Sequence, residues 1–316
     1  MRYENVMHHA STLGTQWLDG DLVHAASRPE APAASSHLGR QLRAAARLAA
    51  ISLWTIVAAV IQLILIQFPG KARIRFARLF WAGVCRLLGL KIVVLGTPAG
   101  ICRDRGAVAR GVRPVVYVSN HTSWLDIPAL GAVLPAVFVS KSEVSRWPFI
   151  KTVAQLGRTI FVSRQKSGTA REIYGILERL RVGDNALLFP EGTSSSGSHV
   201  LPFFSSFFAV ALAGRHATPE EGRNNVLIQP ISVVYDELEG LPVHRGRRSV
   251  FSWHGSMALA PHIWRLAQWG SHRATVLVHP PVEPGAHLTR KDLASHVHQL
   301  VSEGAARLRQ NRQNEA

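Results

Sequence analysis

Hydrophobic positions divide the chain into an apolar N-terminal block and a longer region of short alternating elements. No charged residue occurs between Leu48 and Phe68, a stretch about as long as a helix that crosses a bilayer core. Basic residues flank this stretch on both sides, with a slight bias that favours a cytoplasmic location for its C-terminal side. The pattern predicts a membrane helix. The alternative is a buried helix of a soluble domain.

A second apolar stretch, from Ile74 to Leu95, is interrupted by four basic residues. This pattern predicts an amphipathic helix at the membrane interface, with its basic side chains reaching headgroup phosphates. Two arrangements stay open: the first helix spans the membrane, or both helices form a hairpin in one leaflet. We assign residues 1–40 to a disordered tail and residues 41–95 to membrane-anchoring helices.

From residue 96 to residue 316, short β-branched runs alternate with helical stretches. Such alternation predicts an α/β domain with a largely parallel sheet flanked by helices. The predicted strands are 115–118, 136–139, 159–162, 186–189, 226–231 and 274–278, and the predicted helices are 127–133, 168–181, 204–213 and one from Arg290 that opens with a capping box at Thr289.

The composition is strongly basic, with 36 Lys and Arg against 20 Asp and Glu and a formal net charge of +16. Such a charge favours anionic partners, including phospholipid surfaces, acidic carrier proteins, nucleotide-bearing cofactors and nucleic acid. Cys85 and Cys102 match neither a disulfide framework nor a metal-binding spacing, so we expect a reducing compartment. P-loop and zinc-protease motifs are absent from the sequence.

The first chemical motif, Asn120-His121 followed by Asp126, comes directly after the predicted strand 115–118. A histidine that removes a proton from an alcohol needs one free ring nitrogen and gains from a carboxylate on the other. The sequence has no G-x-S-x-G nucleophile motif, which favours direct attack by a substrate hydroxyl. The alternative is a helix N-terminus in which Thr122 or Ser123 is the cap and Asp126 lies in the first turn.

The second motif runs from Leu188 to Gly197 after another predicted strand. Its proline sets a turn, Gly192 permits close backbone approach, and Glu191 can bind a hydroxyl or orient a neighbour. The alternative is a tight loop with an exposed glutamate.

Two further motifs lie on predicted strands. One strand ends in Arg164, where a guanidinium can bind a phosphate through paired donors, although a single arginine is usually only a solvated surface residue. The strand 226–231 contains Pro230, which predicts a sheet edge or one wall of an apolar groove.

Taken together and in this order, these motifs resemble the glycerophospholipid acyltransferase family, which includes 1-acylglycerol-3-phosphate acyltransferases. The resemblance covers about residues 70–282, and it is carried by Asn120-His121 with Asp126, Ile160 through Arg164, Phe189 through Thr193, Ile228 through Pro230, Lys141, and Trp147 through Phe149.

The resemblance implies transfer of a fatty acyl group from acyl-CoA or acyl carrier protein to the free hydroxyl of a lysolipid. His121 would act as general base, and Asp126 would orient it and stabilise the imidazolium. Backbone donors near one of these loops would stabilise the oxyanion, and no metal or tightly bound cofactor is needed. The residues expected to bind the substrate are Arg164, Glu191, Gly192, Thr193, Lys141 and Arg158.

Three positions depart from the family pattern: Ser194 and Phe204 replace cations, and Ser163 replaces an acid. We expect 1-acylglycerol-3-phosphate as the acceptor, giving phosphatidic acid, with another lysolipid such as lyso-ornithine lipid as the alternative. The expected partners also include an anionic membrane and no nucleic acid, and the expected location is the cytoplasmic face of the inner membrane. Rival classes are a non-catalytic lipid-binding protein, a nucleic-acid-binding protein and a serine hydrolase.

Overall fold

A mostly parallel sheet lies at the centre of the computed structural model, which describes residues 37–68, 70–101, 110–141, 160–162, 169–212, 226–286 and 289–311. In these residues the strands are β1 Leu90–Leu95, β2 Val115–Ser119, β3 Ala136–Lys141, β4 Ile160–Val162, β5 Asn185–Leu188, β6 Leu227–Leu238, β7 Leu241–Pro242 and β8 His272–Val278. Their order is β1-β8-β6-β2-β5-β3-β4, with β7 beside β6. The pairs β6–β8 and β6–β7 are antiparallel, and the other described pairs are parallel.

Helices cover the sheet. They are α1 His37–Leu65, α2 Ala72–Leu88, α3 Asp126–Val133, α4 Thr169–Arg181, α5 Ala209–Leu212, α6 Leu259–Ala267 and α7 Arg290–Arg309, and 3-10 turns cover Ser205–Phe208, Arg245–Val250 and Pro284–Ala286. The predicted α/β class, with a largely parallel sheet flanked by helices, is confirmed. Every residue of β2 and β5 is buried, as expected for parallel strands covered on both faces.

Most predicted elements correspond to observed ones with shifted ends. The predicted strand 226–231 continues to Leu238, and the predicted helix 204–213 is a 3-10 turn followed by α5. The capping box of α7 is present, because the Thr289 side chain accepts from the Asp292 N–H and the Asp292 carboxylate accepts from the Thr289 N–H. Residues 1–36, 159, 168 and 213 lie outside the described residues, and the predicted domain boundaries stay a prediction.

The helix predicted from Ile74 to Leu95 was wrong in its second part. The helix ends at Leu88, and Gly89 follows it with φ 79°, a left-handed conformation that ends helices and favours glycine. The next residues, Leu90–Leu95, form β1, which pairs in parallel with β8. The apolar face of α2 does not lie free for a membrane, because Phe80, Trp81 and neighbouring side chains pack in one buried cluster with residues of α3. α6 and β7 were not predicted from the sequence.

The N-terminal part of α1 is tied to the main domain by two arginines. Arg47 donates to the carbonyls of Ala267 at 3.2 Å and Gly270 at 2.6 Å, and also to that of Trp269. Arg43 donates to the carbonyl of Gln268 at 3.2 Å. These carbonyls belong to the C-terminal end of α6 and the residues after it, where helix carbonyls lack partners and favour cations.

The C-terminal part of α1 packs on α2 and leaves a wide apolar face uncovered. The Trp54 indole donates to the carbonyl of Phe80, and the Gln62 amide donates to that of Arg73, so the two helices form a hairpin. Within the described residues, α1 is the helix that is long and apolar enough to cross a membrane. The exposed large apolar side chains of its C-terminal part are Leu53, Ile56, Val57, Val60, Ile61, Leu63 and Ile64.

Pro230 lies in an interior strand, so its predicted position at a sheet edge was wrong. It pairs with Val118 of β2, and its carbonyl accepts from the His279 N–H at 3.0 Å on the other side. Since the N–H and C=O of one residue point to the same side of a strand, the missing N–H of Pro230 would point toward residue 279. β8 has already ended there, at Val278, so the proline removes no bond from a continuous ladder.

Candidate active site

The loop after β2 leaves the sheet at the C-terminal end of the parallel strands, where α/β proteins place their ligands. Asn120 holds this exit against β6: its amide donates to the Val233 carbonyl at 2.9 Å and accepts from the Val233 N–H at 2.8 Å. Asn120 and Val233 are buried, so each of these hydrogen bonds pairs polar atoms that water does not reach. The side chains that follow are thereby fixed to two neighbouring strands.

His121 and Asp126 are in direct contact. Nδ1 of His121 lies 2.8 Å from Oδ2 of Asp126. The Asp126 side chain is fully buried, whereas 18 % of the His121 side chain is exposed. With Nδ1 on the carboxylate, Nε2 is left for a further partner.

Asp126 also accepts three other hydrogen bonds. Its Oδ2 accepts from the backbone N–H groups of Thr122 at 2.7 Å and Ser123 at 2.9 Å, and its Oδ1 accepts from the Tyr235 hydroxyl at 2.6 Å. Neither Thr122 nor Ser123 caps α3 with its side chain, because the cap position is Leu125. The alternative interpretation is therefore wrong about a Thr122 or Ser123 cap, whereas its placement of Asp126 in the first turn of the helix is confirmed.

The loop after β5 contacts His121 from another side. The Phe189 ring stacks on the imidazole with 4.2 Å between ring centroids and 21° between planes. Ser195 N–H donates to the His121 carbonyl at 2.9 Å. The two motifs that the sequence analysis found separately therefore form one site.

Glu191 is buried and joins two loops. Its Oε1 accepts from the His121 N–H at 2.6 Å and its Oε2 from the Leu201 N–H at 3.0 Å. Burial raises the pKa of Glu191 to about 7, although the two backbone bonds oppose the shift. The alternative of an exposed glutamate in a tight loop is wrong, because only 2 % of Glu191 is exposed.

Two glycines permit the close approach of these loops. Gly192 and Gly197 have φ values of 67° and 74°, which favour glycine. A Cβ on Gly197 would lie 2.8 Å from Cγ2 of Thr122. Thr193, between these glycines, is exposed.

The remaining predicted site residues are only partly described. Lys141 is the last residue of β3. Arg158 and Arg164 lie outside the described residues, as does Ser163. Within the described ranges, no three His, Cys, Asp or Glu side chains are grouped closely enough to hold a metal ion.

Tyr235, whose hydroxyl contacts Asp126, was not predicted from the sequence as a site residue. Burial, and then Asp126, raise the pKa of its hydroxyl well above the usual value. Tyr235 shares one face of β6 with Ile231 and Val233, and this two-residue period could have been noticed if the strand had been extended past Ile231.

Comparison with known proteins gives consistent matches. A family model described as acyltransferase matches residues 104–234. The chain is 36 % identical over 255 residues to the lyso-ornithine lipid O-acyltransferase of Brucella abortus, covering 77 % of this chain and 90 % of the relative. Identity to the enzyme of the same name from Rhizobium meliloti is 32 % over 242 residues, covering 76 % and 78 %.

A further relative and one solved structure extend the comparison. The 1-acyl-sn-glycerol-3-phosphate acyltransferase of Neisseria gonorrhoeae is 37 % identical over 127 residues, covering 38 % of this chain and 50 % of the relative. The crystal structure of the 1-acyl-sn-glycerophosphate acyltransferase of Thermotoga maritima has a similar fold, with a TM-score of 0.61 and 19 % identity, and the match covers 84 % of this chain and 95 % of that one.

Proposed function

This chain belongs to the glycerophospholipid acyltransferase family, and on that premise we propose that it transfers a fatty acyl group to a lysolipid hydroxyl with His121 as the general base. The observation that carries the proposal is the contact of His121 Nδ1 with the buried Asp126, which leaves Nε2 for the substrate. The family membership expected from the sequence motifs is confirmed.

In the proposed reaction, Nε2 of His121 takes the proton of the lysolipid hydroxyl as the oxygen attacks the thioester carbonyl of the acyl donor. The tetrahedral intermediate then collapses, the carbon–sulfur bond breaks, and the thiolate leaves with the proton that the imidazolium returns. Asp126 keeps the proton of the neutral ring on Nδ1 and stabilises the imidazolium. Four donors hold this carboxylate, which supports a fixed ring orientation.

Glu191 has a positioning role in this proposal. Both of its oxygens accept backbone N–H groups, one of them from His121 itself. It thereby aligns the histidine loop with the loop that contains Gly192 and Thr193. We assign these two residues, with Lys141, Arg158 and Arg164, to the binding of the acceptor headgroup.

For the acceptor, we place lyso-ornithine lipid first. The relatives that match about three quarters of this chain carry that name, whereas the Neisseria match covers 38 % of it. Ser194 and Phe204 also favour lyso-ornithine lipid, because these two positions supply no cation. A phosphomonoester carries more negative charge than a carboxylate and would need such cations more. The second candidate is 1-acyl-sn-glycerol-3-phosphate, which the acceptor named in the Neisseria relative favours.

The acyl donor is a thioester, and we assign it to acyl-CoA or acyl carrier protein. Both are anionic, which suits a chain with a net charge of +16. The same charge suits an anionic membrane.

For the membrane, we propose that the hairpin of α1 and α2 enters one leaflet of the inner membrane through the uncovered apolar face of α1, with the domain on the cytoplasmic side. The N-terminal part of α1 is tied to α6, and α2 leads directly into β1 of the sheet, so both ends of the hairpin lie at the domain. A single crossing by α1 would require α2 to cross back. α2 carries Arg73, Arg75, Arg78 and Arg86, which makes crossing costly.

The test is acyl transfer from labelled acyl-CoA and labelled acyl carrier protein by the purified full chain in detergent micelles. Lyso-ornithine lipid and 1-acyl-sn-glycerol-3-phosphate serve as acceptors. His121→Ala is expected to lower kcat by about 10²–10⁴-fold. His199→Ala changes an exposed histidine on the neighbouring loop and is expected to leave kcat unchanged. Near-normal turnover by His121→Ala would refute the proposed base.

A further inference from the structure

An open cleft lies beside the His121–Asp126 pair. β2 ends at Ser119 opposite Ile231, and β7 pairs with β6 only at Glu237 and Leu238, so one side of β6 has no paired strand between these two regions. The cleft on this side is open to solvent, and its space, including the solvent at its mouth, is about 300 Å³. Its lining includes Thr122, Gly197, Tyr235, Phe251, Arg248 and Arg309.

Two arginines reach this cleft from separate elements. Arg248 comes from the 3-10 turn Arg245–Val250, and Arg309 is the last residue of α7. Both are half-buried, and Nη1 of Arg309 donates to the Gly197 carbonyl at 3.4 Å.

The two guanidinium groups have no anionic partner in the described part of the chain. Neither forms an ion pair with a described carboxylate. Burial, and then the charge of Arg248, lower the pKa of Arg309. Burial, and then Arg245, lower the pKa of Arg248. Two half-buried positive charges that line one cleft favour the binding of an anion there.

We propose that Arg248 and Arg309 bind the oxyanion of the lysolipid acceptor, a carboxylate or a phosphate, in this cleft. The inference rests on the proposed function, and it assigns acceptor binding to two residues outside the sequence motifs. Guanidinium groups bind both oxyanions through paired N–H donors. The ornithine headgroup offers a carboxylate and the glycerol phosphate headgroup offers a phosphate.

The place of the cleft favours the acceptor over the donor. Thr122 follows His121 in the chain, and the Tyr235 hydroxyl contacts Asp126, so two lining residues adjoin the proposed base. The anion of a lysolipid is covalently attached near its reactive hydroxyl. Arg309 also contacts the loop that contains Ser194. It thereby places a positive charge beside a loop that has a serine at position 194, where the family pattern has a cation.

The experiment compares Arg248→Gln and Arg309→Gln with Arg290→Gln in the purified full chain in detergent micelles. Arg290 is an exposed arginine at the other end of α7 and is the matched control. We expect each of the first two changes to raise the KM for the lysolipid acceptor about tenfold or more and to leave the KM for the acyl donor unchanged. Arg248→Lys and Arg309→Lys retain the charge and should recover part of the loss.

A binding measurement tests the proposed anion site independently of the proposed acyl-transfer reaction. Calorimetric titration with lyso-ornithine lipid, 1-acyl-sn-glycerol-3-phosphate and uncharged 1-acylglycerol should show about tenfold weaker binding to the Gln variants of one or both of the first two lipids, which carry an oxyanion. Binding of 1-acylglycerol should stay the same. If wild-type protein binds these lipids but transfers no acyl group, the proposed reaction fails and the anion site stands.

Two outcomes would overturn the site itself. A rise in the donor KM with an unchanged acceptor KM would assign the arginines to the phosphates of the donor. Equal affinity of the wild-type and Gln variants for both lipids that carry an oxyanion would show that the arginines bind no acceptor oxyanion. Arg248 lies on a surface turn, so its variants keep the test valid even if changes at Arg309 impair folding.

Discussion

The Tyr235 hydroxyl donates a hydrogen bond to Oδ1 of Asp126 at 2.6 Å, while Nδ1 of His121 contacts the other carboxylate oxygen, Oδ2, at 2.8 Å. The tyrosine comes from β6 and the histidine from the loop after β2. The carboxylate is therefore held between two elements that are far apart in the sequence. Because Tyr235 contacts Asp126 rather than the base, its role in the proposed reaction is to position the carboxylate.

The change Tyr235→Phe should lower kcat about tenfold or more and change KM little. It removes one hydrogen bond to a charged group, worth about 1.5–3 kcal/mol. The ring packing is retained, because the stack of Tyr235 on Phe251, at 5.0 Å between centroids, does not need the hydroxyl. Steady-state kinetics with the preferred acceptor measure the effect.

Tyr117→Phe is the matched control for this prediction. Tyr117 is also buried, but its hydroxyl accepts from the Gly100 N–H at 3.0 Å, away from Asp126. This change should lower the thermal midpoint of unfolding and leave kcat nearly unchanged. Equal kcat values for the two variants and the wild type would contradict the positioning role.

His121 and Tyr235 differ in whether the sequence alone could predict them as site residues. His121 and Asp126 are five residues apart, so a local motif was enough to pair them. Tyr235 joins them only through the register of β6 against β2, which places Val233 beside Asn120. A single sequence does not reveal such long-range pairing.

The fold shows the same limit. The β-branched runs predicted most strands, because period and composition are local signals. β1 was assigned to a helix because its apolar residues continue those of α2, and the glycine that separates them was not recognised as a cap. The buried position of Glu191 was also missed, because its partners are the backbone N–H of His121 in the loop after β2 and that of Leu201, ten residues further along its own loop.

The buried Glu191 predicts a specific dependence of stability on pH. Burial raises its pKa from 4.5 to about 7. At a pH between these two pKa values, Glu191 binds a proton in the folded protein and releases it in the unfolded chain. The contribution of Glu191 to the free energy of unfolding is therefore fully present below about pH 4.5 and is lost as the pH rises through about 7. Glu191→Gln cannot titrate, so the wild type should lose stability relative to this variant between about pH 5.5 and 8.

Denaturant unfolding in detergent micelles at several pH values measures this difference, and titrations shared by both proteins cancel in it. Glu283→Gln is the control. A hydrogen bond from Arg113 lowers the pKa of Glu283 below 4.5, so its contribution is lost only as the pH falls below that value. The stability difference for this control should stay constant between about pH 5.5 and 8. A constant difference for Glu191→Gln as well would show that Glu191 is ionised throughout.

The exposed face of α1 predicts how the enzyme binds membranes. Ile56 and Leu63 are 63 % and 57 % exposed and lie seven residues apart, on one side of the helix. Burying each in lipid contributes about 1.5–3 kcal/mol, and a buried carboxylate would add a penalty. The double change Ile56→Glu and Leu63→Glu should therefore weaken binding to vesicles of anionic lipid by about 100-fold or more, measured by flotation.

Val182→Glu is the matched control, since this apolar side chain is 46 % exposed but lies after α4, outside the hairpin. It should leave vesicle binding unchanged. The double variant should remain folded, because neither position packs against α2. Its activity on acceptor dispersed in detergent should persist, whereas its activity on acceptor in vesicles should fall. Full vesicle binding by the double variant would contradict this prediction. It would mean that the uncovered face of α1 does not enter the lipid and that another surface anchors the protein.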